Sequence, residues 1–206
     1  MRVGIGYDIH RFTPPHGSPA LECGEERESP KGDSPKPRAL ARGAGFTGKP
    51  ARRRLSAGGG GRPLKLGGVT IPFHKGLAGH SDADVLLHAL ADALFGAIGA
   101  PDLGEQFPST AARYRDADSR LFVQAAYRQV RRGGWQVGNV DATVIADAPQ
   151  LTGYKLQMRR AIAQLLDLKP SDVSVKAKTT EGFAPGKGGV AAQAVVLLEK
   201  RRAVRS

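Results

Sequence analysis

Apolar side chains recur at every second position in Arg2-Val3-Gly4-Ile5-Gly6-Tyr7-Asp8-Ile9-His10, the period of a β-strand. Leu64-Lys65-Leu66 and Val69-Thr70-Ile71-Pro72 flank Gly67-Gly68, which predicts a hairpin with positive φ at the paired glycines. From about Asp82 to Ile98, Leu86, Leu87, Leu90 and Leu94 supply one apolar helical face, with Ser81 or Asp82 as the N-cap. A second helix is predicted from about Ala117 to Arg132, patterned by Leu121, Ala125 and Tyr127 to Val130 and stopped by Gly133-Gly134. The β-branched stretch Val137 to Ala146 reads as a strand, Tyr154 to Leu166 as a helix, and Val173 to Ala177 and Val190 to Glu199 as strands. The pattern is one of alternating α and β elements, with no internal repeat.

Residues 13–63 break that pattern. They hold 10 of the 27 glycines and 8 of the 14 prolines, with neither helical nor strand periodicity. Such a segment buries too little apolar surface to offset its ordering entropy, so it is expected to be a disordered insertion in one domain spanning 1–206. At 206 residues the chain suits a single domain with a real core. No stretch approaches the roughly 20 apolar residues of a membrane span, and the start does not pattern as a secretory leader. Cys23 is the sole cysteine, which excludes an internal disulfide framework and any multi-thiolate metal site. A cytoplasmic protein with no membrane partner is expected.

The net charge of +12 raises the question of nucleic acid. Ten basic and five acidic residues fall in 13–63, so the excess is spread through the chain. An RNA-binding role for Arg52-Arg53-Arg54 lacks interleaved aromatics, since Phe46 is the only aromatic residue of the insertion. Nucleic acid is therefore not the expected partner.

Candidate chemistry concentrates elsewhere. Asp8 and His10, two apart on a strand, point to one side and are able to grip a single ion. A helical His88 completes three protein ligands, the open zinc arrangement expected of catalysis. Asp84, His88 and Asp92 share a helix face, where the carboxylates are placed to orient the imidazole or to bind hydroxyls. His80 is expected before or at the first turn, where backbone N–H groups favour an anion. Asp102-Leu103-Gly104 reads as a loop, for which ordinary turn chemistry is the local alternative. Lys176-Ala177-Lys178-Thr179-Thr180-Glu181-Gly182-Phe183 leaves a strand with hydroxyls, lysines and a carboxylate suited to phosphates and a hard divalent cation. A plain polar turn explains that segment about equally well.

Taken in order, Gly4-Ile5-Gly6-Tyr7-Asp8-Ile9-His10-Arg11-Phe12, Gly67-Gly68-Val69-Thr70-Ile71-Pro72 and the run from Gly79 to Leu94 resemble one family. The resemblance continues through Asp102-Leu103-Gly104, Ala117-Asp118-Ser119-Arg120, Asn139-Val140-Asp141 and Lys176 to Glu181, and the family is 2-C-methyl-D-erythritol 2,4-cyclodiphosphate synthase of the non-mevalonate isoprenoid pathway. It implies an α+β fold, a single α/β domain with a mixed four-stranded sheet packed on helices plus a small hairpin. It also implies a homotrimer with sites between subunits. The implied reaction is cyclisation of a CDP-linked methylerythritol 2-phosphate with loss of CMP.

By position, the resemblance assigns Asp8, His10 and His88 to one Zn2+ per subunit, and Glu181 to Mg2+ or Mn2+ on the substrate diphosphate. His80 and Thr179 match transition-state-stabilising positions. Asp84, Asp102, Leu103 and Gly104 match positions that hold the sugar alcohol. Ser81, Ala146, Pro149, Lys178, Thr180, Phe183 and Lys187 complete the substrate contacts, with Asp8, His10 and His80 also facing the substrate. Departures lie in the periphery. Gln150 stands where the family usually has lysine, Asp147 where glutamine is frequent, and Ser109-Thr110-Ala111-Ala112 replaces an acidic run after Phe107-Pro108. The glycine-rich stretch after Glu181 is shortened, leaving Lys187 near an arginine position that it fills only as a point charge. A zinc hydrolase acting on a phosphate ester is the competing enzyme class. The insertion, two residues past His10, is expected to be an exposed segment without function, the alternative being a basic flap over the site.

Overall fold

The computed structural model describes residues 1–13, 62–182 and 188–201. The insertion, apart from its ends at Thr13, Arg62 and Pro63, lies outside the described residues, as do Phe183 and Lys187.

Among the described residues six strands and four α-helices follow in the order β1 (Arg2–Arg11), β2 (Leu64–Leu66), β3 (Val69–Ile71), α1 (Val85–Ile98), α2 (Leu103–Gln106), α3 (Arg120–Arg132), β4 (Trp135–Ile145), α4 (Lys155–Leu165), β5 (Val173–Lys178) and β6 (Gly189–Lys200). Four strands form a mixed sheet in the order β1-β6-β4-β5. β6 runs antiparallel to both β1 and β4, while β4 and β5 are parallel and joined through α4. A parallel pair requires such a crossover, because no tight turn joins two strands running the same way. β2 and β3 form the hairpin, with Gly67 at φ +60° and Gly68 at φ +77°.

α1 is apolar almost all round, and from Val85 to Ala97 only Asp92 and Gly96 escape full burial. A helix of that kind belongs in the core. It lies against β1 and β6, and glycine makes the approach to β1 possible. A Cβ built on Gly4 would stand 1.9 Å from Ala93 O, and one on Gly6 would stand 2.0 Å from Ala89 O. The two glycines let the strand backbone rest on the helix backbone. Across β1 the alternation then turns Val3, Ile5, Tyr7 and Ile9 to the opposite face, where all four are exposed. No described helix is long and apolar enough to cross a membrane.

Two boundaries differ from expectation in ways that matter below. α1 starts at Val85 with Asp84 as its N-cap, in place of Ser81 or Asp82. Residues 103–106, expected as loop, form the short helix α2 capped by Asp102.

Candidate functional site

Where β1 passes the first turns of α1, three side chains converge. Asp8 Oδ2 lies 2.9 Å from His10 Nε2 and 2.9 Å from His88 Nδ1, and the two imidazole nitrogens are 3.2 Å apart. Three ligands at zinc distances in a tetrahedron stand roughly 3.3 Å from one another. The triangle therefore has the size that such an ion needs. The remaining ring nitrogens are engaged behind it. His10 Nδ1 meets Ala78 O at 2.6 Å, and His88 Nε2 meets Ser119 Oγ at 2.9 Å and Ser81 Oγ at 3.0 Å. A carbonyl behind His10 keeps a proton on Nδ1, so it is Nε2, hydrogen-bonded to Asp8 in the metal-free protein, that would present a lone pair to an ion once its proton leaves. The Ser119 hydroxyl donates in turn to Asp82, which Lys65 Nζ holds at 3.0 Å.

The electrostatics follow from this crowding. Burial works against charge on Asp8, but hydrogen bonds and charge from His10 and His88 hold its carboxyl well below the usual carboxylate range. Burial likewise draws the His10 ring down, yet the contact with Asp8 prevails and its pKa lies above the ordinary 6.5.

The triangle opens into a cleft of about 430 Å³. His80, Ser81 and Asp92 line it beside the triangle, Asp102, Leu103 and Gly104 face them, and Phe107, Tyr114 and Phe122 form an aromatic wall. Among the described residues no lysine or arginine lines this cleft. Asp8, Asp92 and Asp102 make this cleft acidic, and a bound cation would offset them for an anionic ligand. Asp92 accepts the Leu103 N–H at 2.7 Å, tying α2 to α1, and burial pushes its pKa up against that bond.

Several expected positions are placed differently. Asp84, expected to hold a sugar alcohol, is fully buried and does not line this cleft. Its carboxylate accepts from Gly67 N at 2.8 Å, Gly68 N at 2.7 Å and Leu87 N at 3.1 Å, so it pins the hairpin turn to the start of α1. Burial pushes its pKa up, against those three bonds. His80 lies in the loop before α1, the first of its two expected places, and lines the cleft.

Thr179, Thr180 and Glu181 follow β5, at the opposite edge of the sheet from β1. With strands roughly 4.8 Å apart, two intervening strands put the β5 edge about 14 Å from β1. Accordingly none of the three lines the cleft within one chain. Thr180 N and Oγ1 donate to Asp147, at 2.7 Å and from 2.8 Å, and Thr179 Oγ1 donates to Glu181. Glu181 has φ +52° and is exposed, as is Lys178. Ala146 N donates to Lys178 O at 2.9 Å, which sets Ala146 and the loop to Pro149 beside this segment. The sequence-predicted residues thus divide into a metal-type cleft at one sheet edge and a threonine–glutamate segment at the other. Ser119, read only as part of the Ala117 to Arg120 run, was given no place at the site and Arg62 was missed; an arginine closing a glycine-rich run carries no sequence signal.

A mixed sheet with helices on one face and an open Asp-His-His cluster at its edge defines an α+β protein with a metal-type cleft. The YgbB family profile matches residues 52–199, and the chain belongs to that family. The 2-C-methyl-D-erythritol 2,4-cyclodiphosphate synthase of Shouchella clausii is 55% identical over 142 residues, which are 68% of this chain and 89% of that one. A solved 2C-methyl-D-erythritol-2,4-cyclodiphosphate synthase superposes with a TM-score of 0.69 at 30% identity, over 96% of this chain and all 100% of that one. The bifunctional IspDF of Campylobacter jejuni superposes with a TM-score of 0.72 at 31% identity, over 99% of this chain and 43% of that longer one.

Proposed function

We propose that this protein converts 4-diphosphocytidyl-2-C-methyl-D-erythritol 2-phosphate into 2-C-methyl-D-erythritol 2,4-cyclodiphosphate and CMP, in isoprenoid precursor biosynthesis. Family membership and 55% identity to a synthase of that name support the reaction. The observation that carries it in the molecule is the Asp8-His10-His88 triangle, opening into a cleft of about 430 Å³. In the reaction an oxygen of the 2-phosphate attacks the β-phosphorus, and the bond from that phosphorus to the oxygen of CMP breaks. Nucleophile and electrophile belong to one molecule, so the work of the protein is to fold the substrate and neutralise charge.

Asp8, His10 and His88 would hold Zn2+, and Glu181 would hold Mg2+ or Mn2+ on the diphosphate; bound there, the ions supply Lewis acidity toward the phosphates. His80 at the cleft and Thr179 beyond β5 meet the charge that develops on the transferred phosphoryl group. Asp102, Leu103 and Gly104 bind the sugar alcohol, with Ser81 beside them. Ala146, Pro149, Lys178, Thr180, Phe183 and Lys187 belong to the nucleotide and phosphate side.

Because the two halves stand at opposite sheet edges, a complete site is made between subunits of a homotrimer. The exposed apolar stripe Val3, Ile5, Tyr7 and Ile9 supports a sheet face that is covered by other copies. The protein acts as one domain over 1–206, in the cytoplasm, on a small nucleotide-linked substrate. Incubation with that substrate, zinc and magnesium, followed by phosphorus NMR, tests the proposal. CMP together with the cyclic diphosphate is the expected product pair. A linear product or inorganic phosphate would instead identify a hydrolase.

A further inference from the structure

The three carbonyl oxygens around His80 are all engaged, and two of them by one side chain. Arg62 Nη1 donates to Gly79 O at 2.8 Å and also to Ser81 O, while Arg62 Nη2 pairs with the Asp116 carboxylate. Asp116 N in turn donates to His80 O at 2.8 Å. One guanidinium thus spans the loop on both sides of His80 and reaches the residue that holds the loop between. The Arg62 main chain is itself wedged in place, since a Cβ on Gly76 would meet Arg62 O at 2.1 Å.

The loop so held touches both imidazoles of the triangle. Gly79 lies against His10, where an added Cβ would stand 3.1 Å from Cε1. Ser81 Oγ stands 3.0 Å from His88 Nε2, and His80 projects between them into the cleft. We propose that Arg62 is a positioning residue for the metal cleft, locking the 79–81 loop so that His80, Ser81 and the two histidine ligands keep their mutual geometry. The inference rests on the proposed metal-dependent reaction. Arginine suits the task because its planar fork serves several acceptors in fixed directions, whereas lysine offers one point charge. Partners behind metal ligands ordinarily govern metal affinity through orientation.

Arg62→Ala and Arg62→Lys, in the full chain, test this. Zinc affinity is read by competition with a chromophoric chelator, ligand geometry from the visible spectrum of the cobalt-loaded protein, and turnover as kcat and KM separately. Arg62→Ala is expected to lose about 10–100-fold in zinc affinity, to alter the cobalt spectrum and to lower kcat more than it raises KM. Arg62→Lys is expected to recover part of each. A folded Arg62→Ala with wild-type zinc affinity and cobalt spectrum would overturn the inference. If Arg62→Ala does not fold, Arg62→Lys decides on the same two metal readouts. Failure of the wild-type protein to form cyclic product strikes the proposed reaction alone, because the metal titrations need no substrate.

Discussion

Asp8 Oδ2 and His88 Nδ1 stand 2.9 Å apart although 80 positions separate them in the chain. The contact closes a triangle with His10, and it sets a proton balance. In the metal-free protein the His10 pKa is raised above 6.5 and the Asp8 pKa is depressed. Stabilisation from the raised His10 is fully present below 6.5 and is lost as pH rises through its folded value. Stabilisation from Asp8 is present above 3.8 and is lost as pH falls through its depressed value. A metal requires the neutral ring, so zinc must displace the His10 proton. Zinc uptake just above pH 6.5 should therefore release protons, and affinity should fall as pH drops. Calorimetry in two buffers of different ionisation enthalpy measures this; buffer-independent heats would contradict it.

The triangle also depends on how closely β1 lies on α1. Gly6→Ala would place a methyl 2.0 Å from Ala89 O and 2.6 Å from Ala93 N, both backbone atoms that cannot step aside. The strand must move outward and carry Asp8 and His10 from His88. Overpacking of this kind costs about 1–3 kcal/mol or more, and zinc affinity should fall with it. Gly96→Ala is the control: its Cβ meets nothing nearer than Ile5 O at 3.8 Å, and alanine in a helix stabilises by about 0.5–1 kcal/mol. Thermal melts and zinc competition on both variants decide. Equal behaviour of the two would refute the packing argument.

Asp8 and His10 were readable as a pair because strand period alone puts them on one side. His88 was expected to join them, but spacing along the chain does not show what brings it there, which is the close approach of β1 to α1 at Gly4 and Gly6. The N-cap of α1 shows a different limit. Ser81, Asp82 and Asp84 are all good capping residues, and local propensity does not choose among them. The Gly67 and Gly68 N–H groups, brought by the hairpin, settle it for Asp84. The family resemblance implied one site for Thr179, Glu181 and the Asp8-His10-His88 cluster, made between subunits, and within a chain the topology places the two parts at opposite sheet edges.

Asp84 therefore predicts a stability defect. Asp84→Ala removes the acceptor of three backbone N–H groups at a fully buried position. Loss of a cap costs about 1 kcal/mol, and each buried donor left without a partner adds about 1–3 kcal/mol. Denaturant unfolding should show a loss on the order of 3 kcal/mol or more, with KM of the folded fraction little changed. A large rise in KM at full stability would return Asp84 to the substrate site.

The proposed division of the site between subunits makes a prediction by mixing. His88→Ala damages the cleft and Glu181→Gln the segment beyond β5, so each variant alone should be nearly inactive. When the two are unfolded together at equal concentration and reassembled, some sites pair the intact cleft of one subunit with the intact β5 end of its neighbour. For random trimers each half is intact with a chance of one half, so activity should return to roughly a quarter of wild type. A site contained in one chain regains nothing on mixing, because every chain then carries one damaged half. Ile5→Lys supplies the independent arm. Its side chain is 61% exposed on the open sheet face, so the core is spared while the stripe proposed to face other copies acquires a charge. Sedimentation should show that variant as monomers with near-wild-type secondary structure, and turnover should be lost with assembly. Full turnover by a monomer, or a mixture without recovered activity, would refute the divided site.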